Sequence, residues 1–279
     1  MTIRIVTDST SDISQNLAKE RNIIVVPLNI SFGSQSYLDG VEIDGDTFYR
    51  RLTTERELPK TSTPNVAQFE TAYRQMIHEG ADGIVSIHVS GALSGTHNTA
   101  SLAARNITEE THVPIQVIDS RTVSIGLGHP ALALAQAAAQ GASIDDLTHL
   151  SKRIFDNSKL FFILDTLDYL DKGGRIGHAS AVLGSLLQIK PILTIQDGIV
   201  TPLERIRTRA KALAKVADMV KTAQPFTYLG IASSDVATEE DFRKIAKEQF
   251  SGAIETFQLG AVVGTYAGPH AAGLYLTTD

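Results

Sequence analysis

The chain has 279 residues, of which 43% are hydrophobic and 20% are charged, and its formal net charge is -6. A chain of this length can bury a sizeable core and fits one large or two moderate domains. The acidic balance argues against a general nucleic-acid-binding protein. The absence of cysteine excludes disulfides, thiolate metal sites and a cysteine nucleophile.

The first half of the chain alternates short β-branched runs with longer helical patterns. Strands are predicted over residues 3–7, 23–26, 83–89 and 113–119. Helices are predicted after a cap at Asp12 or Ser14, over residues 66–79 and 96–106, and up to Ala139. This alternation predicts a mostly parallel sheet flanked by helices, which binds ligands beyond the carboxyl ends of its strands.

The second half has a different pattern, in which a hairpin turn at residues 196–198 separates two short strands. Strands are predicted over residues 160–164, 191–194, 199–202 and 227–232, with a final strand pair around 253–257 and 273–277. Helices are predicted over residues 208–223 and 239–249. We interpret residues 1–159 as an N-terminal α/β domain and residues 160–279 as a C-terminal mixed α/β domain.

The sequence shows neither a secretory signal nor a membrane span. The N-terminal residues begin a strand instead of the apolar run of a signal peptide. The most apolar long stretch, residues 179–195, contains Gln188, Lys190 and Pro191, and falls short of the roughly 18 uncharged apolar residues that a span needs. We therefore expect a soluble, cytoplasmic protein.

Four short segments combine Ser, Thr, Gly and Asp at predicted strand ends, namely residues 7–12, 60–65, 90–96 and 119–120. Small hydroxyls beside backbone N–H groups at helix starts suit an anionic head such as a carboxylate or phosphate. Any single loop of this composition is more typical of ordinary helix capping. Four such loops at one sheet edge favour a polar binding site, where Gly91 and Gly95 allow close backbone approach to a ligand.

Two residues are candidate nucleophiles of an enzyme. Ser94 lies in a loop that resembles an esterase elbow, but its glycines stand three residues before and one after it, instead of two on each side. Asp8 ends the first predicted strand, where aspartate phosphotransferases have their nucleophile, but Thr10 occupies the position of their second acid. The sequence has no nucleotide-binding loop and no strong metal-ligand spacing.

Residues 176–195 are rich in Ala, Val, Leu and Ile. This composition is typical of a protein core, and it also suits the wall of an apolar tunnel. A tunnel that ends at hydroxyl groups would hold a long-chain carboxylate. The carboxylate would need several hydrogen bonds, because an unpaired buried charge is costly.

A series of short motifs runs in order along the chain, at residues 6–12, 59–64, 90–96, 118–120, 170–176, 187–193, 205–209 and 264–269. With these motifs the sequence resembles the DegV family of fatty-acid-binding proteins across essentially its whole length. The resemblance implies a two-domain α/β protein that buries one long-chain fatty acid between its domains. It also implies the role of the lipid-presenting subunit of a bacterial fatty acid kinase, whose ATP-binding partner phosphorylates the bound carboxylate to an acyl phosphate.

The resemblance also implies roles for individual residues. Thr61 or Ser62, together with Ser94, would hydrogen-bond the carboxylate, and the Gly95 N–H would lie nearby. 

Many family members have His-Thr-Gly-Pro-Gly where this chain has residues 266–270, Tyr-Ala-Gly-Pro-His. We expect either Tyr266 or His270 to replace the contact of the family histidine with the head group. Arg175 and Arg207 match positions near the pocket mouth, which implies partner docking or phosphoryl handling.

The sequence thus leads to the hypothesis of a carrier without a catalytic residue, a cofactor or a metal. Its expected partners are a long-chain fatty acid and an ATP-binding kinase subunit, with transient membrane contact and no nucleic acid. The alternatives are an acyl hydrolase that uses Ser94, a phosphotransferase that uses Asp8, and a carrier of another amphipathic anion.

Overall fold

The computed structural model describes residues 1–182 and 189–278, which contain three β-sheets and their flanking helices. The strands are β1 (Ile3–Asp8), β2 (Ile23–Val26), β3 (Asn29–Phe32), β4 (Gln35–Leu38), β5 (Lys60–Ser62), β6 (Gly83–His88), β7 (Ile115–Asp119), β8 (Ser158–Ile163), β9 (Ile192–Gln196), β10 (Ile199–Glu204), β11 (Tyr228–Ser233), β12 (Glu255–Gln258) and β13 (Ala272–Thr277). The α-helices are α1 (Gln15–Glu20), α2 (Gly45–Thr54), α3 (Val66–His78), α4 (Thr96–Thr111), α5 (Ile125–Ala139), α6 (Ile144–Asp156), α7 (Asp168–Lys172), α8 (Arg209–Thr222), α9 (Val236–Gln249) and α10 (Ala261–Ala267).

The first sheet is parallel, with the strand order β2-β1-β6-β7. Its two faces follow the two-residue period of a strand. Val6 and Ile84 face helices α3 and α4, whereas Ile5 and Val85 belong to the core beneath α5. The predicted parallel α/β architecture is therefore confirmed.

The second sheet is mixed and has the order β10-β9-β8-β13-β11-β12. Only the pair β11 and β12 is parallel among its described pairings. Helices α8 and α9 cover one face of this sheet through a core that includes Val216 and Phe242. The predicted hairpin at β9 and β10 is present, but the final predicted strand pair is wrong, because β11 lies between β12 and β13.

The third sheet, with the order β4-β3-β5, is antiparallel and was not predicted from the sequence. Its strands are three or four residues long and mix polar with apolar residues, so they carry no clear periodicity. The sheet packs with α2 and α10 around Ile30, Phe32 and Phe48. This packing brings β5 and α10, which are 200 residues apart in the chain, to the same place.

The largest core cluster joins residues from both halves of the chain, such as Ile87 and Leu127 with Leu193 and Tyr275. Strand β8 begins at Ser158 and belongs to the second sheet. Because the core is shared by both halves and β8 crosses this point, the predicted domain boundary between residues 159 and 160 remains a prediction. In the described parts of the chain, none of the helices combines the length and the apolar character needed to cross a bilayer.

Candidate functional site

A cavity of about 190 Å³ lies between the ends of the first-sheet strands and the second sheet. Most of its wall is apolar, with residues such as Val89, Ile125, Phe162, Leu164 and Val262. Polar side chains gather among the other lining residues, which include Thr10, Thr61, Ser62, Thr63, Ser94, Ser124, Arg175 and Tyr266. Below, "the cavity" refers to this space.

Thr61 and Tyr266 meet at the polar end of the cavity. The Thr61 Oγ1 and Tyr266 hydroxyl oxygens are 2.5 Å apart, which is a strong hydrogen bond in which either oxygen can donate. Thr61 is presented by β5 and Tyr266 by α10, so this contact depends on the packing of α10 against the third sheet. One hydroxyl proton is used between the two residues, and the other can be donated to a ligand.

Arg175 covers the same end of the cavity. Its guanidinium carbon lies 5.0 Å from the centre of the Tyr266 ring, within the range of a cation–π interaction. The guanidinium also donates to the carbonyl oxygens of Leu93 (3.2 Å) and Gly173 (2.7 Å). Gly173 permits this arrangement, because a Cβ at that position would lie 2.5 Å from the Tyr266 ring. Arg175 is itself exposed, so it stands at the mouth of the cavity.

Ser94 lies half-buried in the loop before α4. Its Oγ is 2.8 Å from the Thr96 Oγ1 and accepts a hydrogen bond from the Thr96 N–H at 3.3 Å. Gly95 lies next to Thr63 and is exposed, and it is not among the residues that line the cavity. The N–H of Gly91 donates to the carboxylate of Asp119, so this N–H is already used by a hydrogen bond within the protein.

Three of the four predicted polar loops reach the cavity. Thr10, the Thr61–Thr63 segment and Ser94 line it, whereas the loop at Asp119 braces its neighbours Gly91 and Arg121 instead. The apolar segment 176–195 includes positions 183–188, which lie outside the described residues. Within the rest of that segment, Ile195 lines the cavity, and Ala179 and Val182 belong to the core.

Besides Gly95, the predicted site residues His270 and Arg207 also do not line the cavity. The side chain of His270 is 64% exposed and contacts Asp235, with 3.2 Å between Nδ1 and Oδ2. Arg207 is exposed on the loop between β10 and α8. Of the two candidates for the family histidine contact, the structure therefore brings Tyr266 to the cavity and leaves His270 at the surface.

Asp8 is fully buried and all its hydrogen-bonding capacity is directed into the protein. One oxygen accepts from the N–H (3.0 Å) and the hydroxyl (2.5 Å) of Thr10, and the other from the N–H of Val89 (3.0 Å). That second oxygen also lies 2.9 Å from Nδ1 of His88. A nucleophile must reach its substrate, so this geometry fits a structural hydrogen-bond acceptor and opposes the phosphotransferase alternative.

The sequence analysis missed a buried chain of polar groups behind Asp8. The Nε2 of His88 lies 2.7 Å from the Ser86 Oγ, which lies 2.8 Å from the Tyr73 hydroxyl. The order Ser86, His88, Asp8 is that of a catalytic triad. Ser86 and His88 are fully buried, however, so no substrate can reach the serine. The two-residue spacing of Ser86 and His88 on β6 was the available sequence signal.

Ser94 has a hydroxyl neighbour, Thr96, instead of a histidine. The described hydrogen bonds therefore give it no general base, which weakens the hydrolase alternative. Within residues 1–182 and 189–278, no group of three or more His, Asp or Glu side chains is arranged to hold a metal ion.

Two aspartates, the half-buried Asp12 and the buried Asp39, hold the start of α10, the helix that carries Tyr266. Asp12 accepts from the Gly260 N–H at 2.9 Å, and Asp39 accepts from the Ala261 N–H at 3.0 Å. Burial raises the pKa of Asp39 to about 6 and raises the pKa of Asp12 well above its ordinary value. These two side chains tie a late segment of the chain to its N-terminal loops.

Comparison with protein families places the whole chain in one group. A family model described as "Uncharacterised protein, DegV family" matches residues 2–279. A DegV domain-containing protein of Deinococcus radiodurans is 38% identical over 282 residues, covering 99% of this chain and 98% of that protein. A DegV domain-containing protein of Streptomyces coelicolor is 34% identical over 281 residues, covering 99% and 98%.

Solved structures give the same picture. A DegV family protein from Thermus thermophilus, whose structure is described as showing fatty acid binding, is 30% identical and superposes with a TM-score of 0.91. DegV from Bacillus subtilis, described as a fatty acid binding protein, is 29% identical with a TM-score of 0.86. In both comparisons the match covers 100% of each chain.

In the wild type, we expect the free energy of unfolding to fall as the pH rises from about 4 to about 6. The substitution Asp39→Asn should make this fall smaller. The pKa of Asp39 is raised from 3.8 to about 6 by burial, so the folded protein keeps a proton that the unfolded chain releases. The stability from this proton is fully present below pH 3.8 and is lost as the pH rises through about 6. It amounts to up to about 3 kcal/mol. Asparagine does not titrate, and its amide oxygen can still accept from Ala261.

Urea unfolding at a series of pH values measures this effect. Asp218→Asn, at an exposed position on α8, is the matched control and should follow the wild-type profile. Equal pH slopes for wild type and Asp39→Asn would contradict the prediction.

Proposed function

Because the chain belongs to the DegV family, we propose that it binds one long-chain fatty acid in the cavity, with the carboxylate at the end formed by Thr61, Ser94 and Tyr266. The observation that carries this proposal is the division of the cavity into an apolar wall and a polar end. An acyl chain gains free energy by leaving water for such a wall. A carboxylate needs donors at the place where it is buried.

The polar end supplies donors that suit a carboxylate. The Thr61–Tyr266 pair and the Ser94–Thr96 pair each use one hydroxyl proton internally and retain another. The positive charge of Arg175 stands at the mouth, beside the Tyr266 ring. A phenol at position 266 can thus donate the head-group hydrogen bond that the resemblance implies for the family histidine.

We further propose that the protein acts as a carrier and presents the carboxylate to an ATP-binding fatty acid kinase subunit. The burial of Asp8 and the missing base at Ser94 support a carrier over an enzyme. Arg175 at the mouth and the exposed Arg207 are the residues we assign to docking or phosphoryl handling. The carrier would work in the cytoplasm and contact membranes transiently to exchange its lipid.

The function is tested first by native mass spectrometry of the freshly purified protein, with solvent extraction and identification of the released ligand. We expect one fatty acid per chain. A protein that is empty and takes up no added fatty acid would contradict the proposal. If the extract contains a different amphipathic anion, that anion is the ligand of the cavity and the fatty acid assignment is wrong.

The double substitution Thr61→Ala and Ser94→Ala should weaken fatty acid binding at least 100-fold. Each hydrogen bond to a charged group contributes about 1.5–3 kcal/mol, and one such bond is lost at each position. Titration of delipidated protein with a fluorescent fatty acid measures the affinity. Thr71→Ala with Ser101→Ala removes two helix hydroxyls that bond only backbone carbonyls, so this control should bind like wild type. Unchanged affinity in the first variant would remove the head-group assignment.

Arg175→Ala should leave fatty acid binding largely intact and slow phosphorylation of the bound carboxylate by the kinase subunit. Two donor groups of Arg175 are held by backbone carbonyls, so its main contribution is charge at the mouth. Formation of acyl phosphate from labelled ATP measures the transfer. Arg105→Ala, at an exposed position on α4, is the control. Loss of the lipid itself from Arg175→Ala would make Arg175 a binding residue instead.

A further inference from the structure

One face of β8 runs along the cavity from its polar end to its opposite end. Leu160 and Phe162 lie on this face, as the two-residue period of a strand requires, and Leu164 continues the row just beyond the strand. All three line the cavity. The chain continues from Leu164 into α7 and on to Arg175 at the mouth. Leu160 therefore lies at the far end, about 13 Å along the strand from Leu164.

The register of the second sheet shows what surrounds Leu160. Phe162 pairs with Gly273 on β13 and with Leu193 on β9, and Leu160 pairs with Tyr275. Ile195 follows Leu193 by two residues, so it shares the face of Leu193 and lies beside Leu160. 

The residue types change along these rows. At the level of Phe162 the β13 residue is Gly273, which lines the cavity without a side chain, and a Cβ there would collide with the Phe162 Cβ at 2.8 Å. At the level of Leu160 the β13 residue is Tyr275, which is 2% exposed and packs against Tyr228 and His129. The β13 side chain is thus absent at one row and bulky at the next.

A groove of about 1080 Å³ lies beyond this filled row. Its lining comes from β7, α6, α8 and strands β8 to β10, and it contains exposed charged residues such as Lys152 and Asp156. Among the described lining residues, only Leu160 and Ile195 belong to both the cavity and the groove. Both are half-buried, as expected for side chains with a hollow on each side. We call these two residues the end wall.

We propose that the end wall stops the acyl tail and sets the longest chain that the protein accepts, and that the groove behind it is a second compartment for longer tails. This inference rests on the proposed function. The lining of the groove includes the large apolar or aromatic side chains of Phe155 and Tyr275, which an acyl tail can contact.

The test is a comparison of wild type with Leu160→Ala over the even-numbered saturated fatty acids from laurate to behenate. Each added methylene that is buried improves Kd about fourfold, so affinity should rise with length until the tail meets the end wall. In Leu160→Ala the isobutyl group is replaced by a methyl group, which opens the way into the groove. The length with the highest affinity should increase by about two carbons, and acids beyond the wild-type optimum should bind at least tenfold more tightly.

Leu203→Ala is the matched control, because Leu203 is 40% exposed and lines the groove without lining the cavity. It should keep the wild-type optimum. Leu160→Phe enlarges the end wall and should move the optimum to a shorter chain, and Ile195→Ala should move it to a longer one. These two variants keep the test valid if Leu160→Ala does not fold.

Folded end-wall variants with the wild-type optimum would overturn the inference while leaving fatty acid binding in place. The same shift in Leu203→Ala would also overturn it, since the groove alone would then set the length. Wild-type protein that binds no acid of the series would overturn the proposed function, and the inference with it.

Discussion

The site depends on two aspartate carboxylates, of Asp12 and Asp39, that join distant parts of the chain. Asp12 holds the N–H of Gly260, 248 residues away, and Asp39 holds the N–H of Ala261, 222 residues away. Burying these groups is costly, and the raised pKa of Asp39 is the sign of that cost. In return, α10 is placed so that Tyr266 meets Thr61.

The structure also shows why chemical groups must be judged by their accessibility. Ser86, His88 and Asp8 are linked as in a hydrolase, yet they are sealed inside the first sheet and its helices. The hydroxyls that do face the cavity, at Thr61 and Ser94, lack a base. The hydrogen-bond donors therefore lie where a ligand can enter. The chain of Ser86, His88 and Asp8 lies where no ligand can reach it.

Two sheets form the cavity, and they contribute different types of side chain. The first sheet and its loops supply hydroxyls, and the second sheet supplies an apolar floor whose rows are set by strand register. On β13, Gly273 lines the cavity without a side chain, whereas Tyr275, two residues later, fills its row with a buried ring. If the proposed function holds, head-group binding and tail length would be controlled by different elements of the fold.

The sequence by itself determined the elements with strong local signals and the family of the chain. The buried runs at β1 and β6, the capped helix α3 and the hairpin at residues 196–198 follow from short-range patterns, and the ordered motifs identify the family. The polar loops and Thr61 and Ser94 were found in the same way.

Only the tertiary structure decided which distant residues meet. It introduced the third sheet, whose short strands have no local period, and it separated β12 from β13 by β11. It placed Tyr266, and not His270, at the cavity, and it placed Leu160 beside Ile195 at the far end. Such contacts arise from strand order, register and the anchoring of α10. These depend on interactions between residues far apart in the chain, which no local pattern records.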